Sequence, residues 1–461
     1  MILRSAWPRV LVMPLALTVL GAPVALAAPA RTLIRNAALV LTMDPALGAG
    51  ELGLRERVDL LLEGDTIAQI GPNLKVPGAR MIDATGRIVL PGFVDTHDHL
   101  SQSLIRGCRT DQDLSGWQRT CEIPLSRFDW KPGDVYHAVR LSTLGLISTG
   151  VTTVVDWSHG HTPRFAEENV QALLDSGLRF ALAYRGKADP SVIAHMRHVK
   201  RTLIDPNPRA TFQVGASPGT GPNVLPTLLA MSGLAKELGV KLHVHLLENI
   251  SQTQEQVFES LAQAGALGPS LLGAHAIHLS DAEIEILARH DARVIHNPLS
   301  NMRLASGIIR LPELKQAGVQ VGLGLDGGTN DTADMFSTMR AAVGLQRAKL
   351  LTASTVPTVN GALRMATVDG AKLLDMDKQI GSLAPGKKAD LIILDPRAIN
   401  FAPRMEWISQ IVFNGQPANV EWVFVDGRAL KARGQLVGVQ PAAVVKAADE
   451  VSARIRRFLF P

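Results

Sequence analysis

Between residues 92 and 325, short apolar runs alternate with amphipathic stretches, and this alternation constrains the fold more than any other feature. The runs are Gly92–Asp95, Thr152–Trp157, Phe180–Tyr184, Thr211–Gly215, Leu242–Leu246, Leu271–Ala274, Val294–Asn297 and Val321–Leu325. They are apolar almost throughout, as expected of parallel strands covered on both faces. Helical stretches such as Asp134–Thr149, Glu167–Leu178 and Asp281–His290 fill the gaps. Eight such units over about 270 residues are what a closed (β/α)8 TIM barrel requires. The flanks differ, with short strands and turn punctuation at Thr32–Leu41, Val58–Glu63, Thr66–Ile70 and Arg80–Asp83, and again at Asp390–Leu394 and Val420–Val425. Glycine turns at Gly64 and Gly427 support this reading. The two flanks are expected to pair into one small β-sandwich domain. Residues 31–90 and 380–435 form that domain, 91–365 the barrel, and 436–461 a C-terminal helix or tail.

Composition narrows the class. With 46% hydrophobic and 19% charged residues, the chain is neither disordered nor fibrous. A net charge of +5 without a basic block, and only 4% aromatic residues, argue against a nucleic-acid partner and for a small-molecule one. Residues 1–27 read as a secretory signal: Arg4 and Arg9, then apolar Val10 to Ala22, then Ala25-Leu26-Ala27. The mature chain is therefore expected to be secreted or periplasmic and, after cleavage, not bound to membrane. Export makes a Cys108–Cys121 bridge feasible, and both the bridged and the free form stay open at this stage.

The histidines carry the chemistry. In a barrel of this kind, side chains converge at the C-terminal strand ends. His97 and His99 alternate onto one side of the first strand and can reach one ion. His243 and His245 close the fifth strand, with Glu248 beyond them. His275 and His278 follow the sixth, His296 the seventh and Asp326 the eighth. Imidazole favours Zn2+ or Fe2+ over Mg2+ or Ca2+. His159 and His161 follow the second strand and edge the pocket, whereas His137, His195, His198 and His290 read as ordinary packing or surface residues.

Four stretches then carry a resemblance: Pro91-Gly92-Phe93-Val94-Asp95-Thr96-His97-Asp98-His99, Ala274-His275-Ala276-Ile277-His278-Leu279, His296-Asn297-Pro298-Leu299-Ser300-Asn301 and Gly324-Leu325-Asp326-Gly327. Together they resemble the amidohydrolase superfamily, in its cytosine/adenosine deaminase-like and triazine hydrolase-like branch, which includes methylthioadenosine and S-adenosylhomocysteine deaminases. Residues 380–391 are similar to that family's return into its small β domain. The resemblance implies one divalent metal, zinc before iron, held by His97, His99, His245 and Asp326 with water in the open position. Glu248 matches the acid of the HxxE motif and His275 the sixth-strand histidine. Binuclear members carry a carbamylated lysine on the fourth strand, where this chain reads Thr-Phe-Gln-Val-Gly, so a mononuclear site is expected.

The expected catalytic residues are Glu248 as proton donor to a ring nitrogen, His275 as polarising group and Asp326 as proton acceptor. Trp117, Arg185, His296, Asn297 and Asn301 are candidate substrate-binding residues, with Ser300 beside them. Nucleoside-processing relatives place an acid close to the tryptophan, and here 113–118 reads Asp-Leu-Ser-Gly-Trp-Gln, with the acid displaced or missing. The leading expectation is hydrolytic deamination of an aminated heterocycle by a metal-activated water. A hydrolase expelling another group (chloride, an alkylamine or an amide nitrogen) and a non-catalytic metal-bearing binding protein are the alternatives. Homo-oligomerisation is common among such barrels.

Overall fold

The structure is a computed structural model that describes residues 30–217, 224–254, 256–327 and 332–461. The expected signal segment, 1–27, lies outside the described residues. Eight parallel strands form the central sheet in sequence order: Phe93–Asp98, Val151–Ser158, Arg179–Arg185, Ala210–Ala216, Lys241–Leu246, Leu271–His275, Arg293–His296 and Val321–Leu323. Every residue of Val151–Ser158 is buried, which explains its unbroken apolar reading. The seam between first and last strands is closed by single bonds. Thr96 Oγ1 donates to Leu323 O at 2.8 Å, and Asp326 N donates to His97 O at 2.8 Å. Gly324 makes this approach feasible, since a Cβ there would come within 3.0 Å of His97 Cβ and closer still to Asn297 Oδ1.

Helix Asp134–Thr149 forms over the expected span and ends at Gly150, whose φ of +97° supplies the left-handed cap. The C-terminal helix, Pro441–Leu459, packs on that helix and on the turn Leu100–Ile105. Arg454 pairs with Asp134, and Phe458 meets the ring of Phe128.

The flanks make one continuous nine-stranded mixed sheet. Strand Arg31–Leu41 bulges between Ile34 and Ala37, so its first half pairs with Arg80–Asp83 and its second with Ile88–Pro91. Ile88–Pro91 in turn pairs antiparallel with Leu391–Leu394, and this joins the two ends of the chain.

Candidate active site

The barrel rim gathers the expected residues. Asp326 Oδ1 lies 3.2 Å from both His97 Nε2 and His99 Nε2. His245 Nε2 lies 3.3 Å from His99 Nε2. His97, His99 and Asp326 are buried and His245 half-buried. Glu248 and His275 complete the cluster, with Glu248 Oε2 3.6 Å from His275 Nε2. His275 and Asp326 hold left-handed backbone, at φ +75° and +61°. Non-glycine residues adopt that conformation at a cost, and here it turns both side chains inward at strand ends.

The hydrogen bonds decide which ring nitrogen of His97 and of His275 faces the cluster, and in which form. Gln213 Oε1 only accepts, so His243 Nδ1, 2.9 Å away, donates to it. His243 is neutral because burial, followed by the neighbouring histidines, pushes its pKa well down. Its Nε2 therefore accepts from His97 Nδ1 at 2.9 Å. That leaves His97 Nε2 as a buried lone pair with no hydrogen-bond partner, aimed at the cluster. The ligand atoms of His97, His99 and Asp326, and those of His97, His245 and His275, each lie close enough together to hold one divalent cation.

His275 is wired in the opposite sense. The amide nitrogens of Asn301 and Asn297 lie 3.0 and 3.3 Å from its Nδ1 and donate to it. Burial lowers its pKa to about 3, so its one proton sits on Nε2, which points into the cluster as a donor. Asn297 stands at the residue before the short helix Pro298–Arg303 and Asn301 lies one turn on, which places both amides on one face. Replacing Asn301 with Leu is expected to lower turnover roughly 10- to 100-fold with metal content unchanged. Parallel rate and metal measurements would check this, and an unaltered rate would remove the orienting role.

The two carboxylates are set apart. Burial, reinforced by the charge of Asp326, pushes Glu248 well above the usual carboxylate range. Burial also works on Asp326, but His275 leads the neighbours that outweigh it, and this carboxyl lies well below that range. The two acids are thus pushed in opposite directions within a single cluster, the separation that acid–base chemistry needs.

Above the cluster lies a cavity of about 350 Å³. Trp117, Arg185 and His159 line its walls, and Asn249 beside Glu248 bonds Ser115 Oγ at 3.1 Å. His161 stacks on His159 at 5.5 Å. Asn297 and Asn301 are enclosed behind His275, His296 is buried, and none of the three is a cavity-lining residue. Both ring nitrogens of His296 are buried without a hydrogen-bond partner.

The sequence named His243 without a role and did not single out Glu122. His243 orients His97, and Glu122 enters the cavity wall on the wide helical turn Gln118–Glu122. An acid therefore does share the cavity wall with Trp117, on the turn that follows it. The cysteine between them, Cys121, is bonded to Cys108.

Residues 88–430 match the amidohydrolase family model, and the chain belongs to that family. It is 33% identical over 420 residues to a 5'-deoxyadenosine deaminase of Methanobrevibacter smithii, covering 86% of this chain and 93% of the relative. It is also 33% identical over 432 residues to a 5-methylthioadenosine/S-adenosylhomocysteine deaminase of Symbiobacterium thermophilum, covering 88% and 96%. A zinc-bound adenosine deaminase from Xanthomonas campestris superposes with a TM-score of 0.83 at 24% identity, covering 93% of this chain and 99% of that one, and shares its fold. The chain is accordingly a hydrolase acting on carbon–nitrogen bonds other than peptide bonds.

Proposed function

We propose that the chain is a metal-dependent aminohydrolase that removes the exocyclic amine of an adenosine-like heterocycle. The observation that carries this reading is the opposed pair of carboxyls, Glu248 pushed toward its neutral form and Asp326 toward its ionised form, clustered with His275 at the floor of the cavity. The relatives named for adenosine derivatives support the substrate class.

Held by His97, His99, His245 and Asp326, a divalent cation would lower the pKa of a bound water toward neutrality. Zinc suits three imidazoles and a carboxylate, with iron the alternative. One ion is expected, since the fourth strand offers Gln213 where binuclear relatives have lysine, and that amide already serves His243. The protein groups divide the proton work. Glu248 gives its proton to the ring nitrogen next to the amine-bearing carbon, which makes that carbon electrophilic. Asp326 accepts a proton from the attacking water. The His275 N–H hydrogen-bonds the oxygen that adds to the carbon. Return of a proton to the amine releases ammonia.

Zinc-loaded protein is expected to release ammonia from 5'-deoxyadenosine or 5-methylthioadenosine. A chelator should abolish the activity and added zinc restore it. Absence of ammonia from these compounds and from aminopyrimidines and aminotriazines would overturn the reading.

We further propose that the protein is exported. The Arg4/Arg9 head, the apolar stretch and Ala25-Leu26-Ala27 support this, as does the Cys108–Cys121 bridge, since such bonds persist in oxidising compartments. N-terminal sequencing of the mature protein is expected to begin at Ala28, and an intact Met1 in the cytosolic fraction would remove the proposal.

A further inference from the structure

The long segment between the first barrel strand and helix Asp134–Thr149 forms one wall of the cavity, and the protein ties it down at several points. Cys108 O accepts from Arg303 Nη2 at 3.0 Å, which anchors that end to the helix carrying Asn301. Leu104 O accepts from Ser452 Oγ of the C-terminal helix at 2.8 Å. The disulfide runs from the Cys108 anchor to Cys121, the residue whose backbone leads directly into Glu122. Cys121 is fully enclosed, whereas Cys108 is half-buried and can be reached by a small reductant.

Glu122 lies in the cavity wall with its Oε1 3.5 Å from His159 Nε2 and 3.8 Å from Arg185 Nη1. Neither contact is a short hydrogen bond, so the carboxylate keeps accepting capacity for donor groups on a bound substrate. The reacting cluster, by contrast, stands on barrel strands and on the ends of other loops.

We propose that the Cys108–Cys121 disulfide is a positioning element of the substrate cavity: it holds Glu122 in the wall to accept hydrogen bonds from hydroxyl or amine groups of the substrate, and its reduction weakens substrate affinity while leaving the reacting cluster in place. The proposal rests on the deaminase reading for its kinetic arm alone. Reduction transfers two electrons and two protons from an added dithiol, which closes to its own disulfide and leaves two thiols on the protein.

The test compares oxidised and dithiothreitol-reduced zinc-loaded protein, with the thiol count confirming each state. On reduction, KM for 5'-deoxyadenosine is expected to rise roughly tenfold with kcat within about twofold. Cys108→Ser should behave as the reduced protein does. In Glu122→Ala, KM should already be raised and reduction should change it by less than about twofold, because the two changes act through one contact. Hydrogen exchange of 108–122 is expected to accelerate roughly tenfold or more on reduction while the barrel strands stay protected. An unchanged KM with the bridge verified as broken, or a Glu122→Ala protein that still responds fully to reduction, overturns the proposal. Should no ammonia be released in either redox state, the deaminase reading fails instead. The exchange measurement then decides the positioning claim, and unaltered exchange in 108–122 overturns it.

Discussion

Glu248→Gln is expected to lower kcat by roughly 10²- to 10⁴-fold while the protein keeps its full metal content. The substitution preserves volume and hydrogen-bonding shape but removes the one proton the side chain can give. Glu248 is 5% exposed, and burial together with the charge of Asp326 raises its carboxyl well above the usual range and favours the neutral, proton-bearing form. Its carboxyl lies against His275, whose Nδ1 is occupied by two amides. Removing the acid therefore leaves the arrangement of His97, His99, His245 and Asp326 untouched. Asp326→Asn gives the contrasting outcome, since that oxygen sits 3.2 Å from two imidazole nitrogens and its loss should reduce metal content and turnover together. Steady-state rates paired with metal analysis separate the two. Near-full turnover by metal-replete Glu248→Gln would end the role of Glu248 as proton donor.

The barrel was legible in the sequence because parallel strands covered on both faces leave an apolar signature that solvent-facing strands lack. Strand Ile88–Pro91 was not, since four residues ending at a proline carry little pattern of their own, and its partners Arg31–Leu41 and Leu391–Leu394 make it a strand. The cluster was legible as residue types at strand ends. Alternation sends His243 and His245 to the same side, however, so spacing alone could not say which of them faces the cluster. The Gln213–His243–His97 proton chain decides that, and it spans three strands. Asn297 and Asn301 carried a usable signal, two amides four residues apart on a short helix. Glu122 carried none, because its placement depends on a wide turn and on the pairing of Cys108 with Cys121. The inward turns at His275 and Asp326 were equally hidden, as nothing in either residue type announces left-handed backbone.

Arg179→Met is expected to destabilise the fold by about 3–5 kcal/mol, the cost of breaking a buried ion pair on one side only. Arg179 opens the third barrel strand, and its Nε donates to Asp390 Oδ2 at 2.9 Å while its Nη2 donates to Asp426 Oδ1 at 2.5 Å. Both carboxylates belong to the small sheet's end of the chain, and Arg179 and Asp390 are each 3% exposed. Methionine fills the volume but leaves Asp390 buried without its cation. Asp390→Asn added to Arg179→Met should recover a good part of the loss, since the stranded charge is then gone, and strict additivity of the two single losses would show that no coupling exists. The pH dependence has a definite sign. In the wild type, burial raises the Asp390 carboxyl even against the pull of Arg179, so without Arg179 the folded-state value rises further. The folded variant then keeps a proton that the unfolded chain has already lost, and its stability falls as pH rises through that interval. Denaturant titrations should therefore show a smaller deficit for Arg179→Met at pH 5 than at pH 8. A deficit independent of pH, or one below about 1 kcal/mol at pH 8, would mean that the pair does not join the sheet to the barrel energetically.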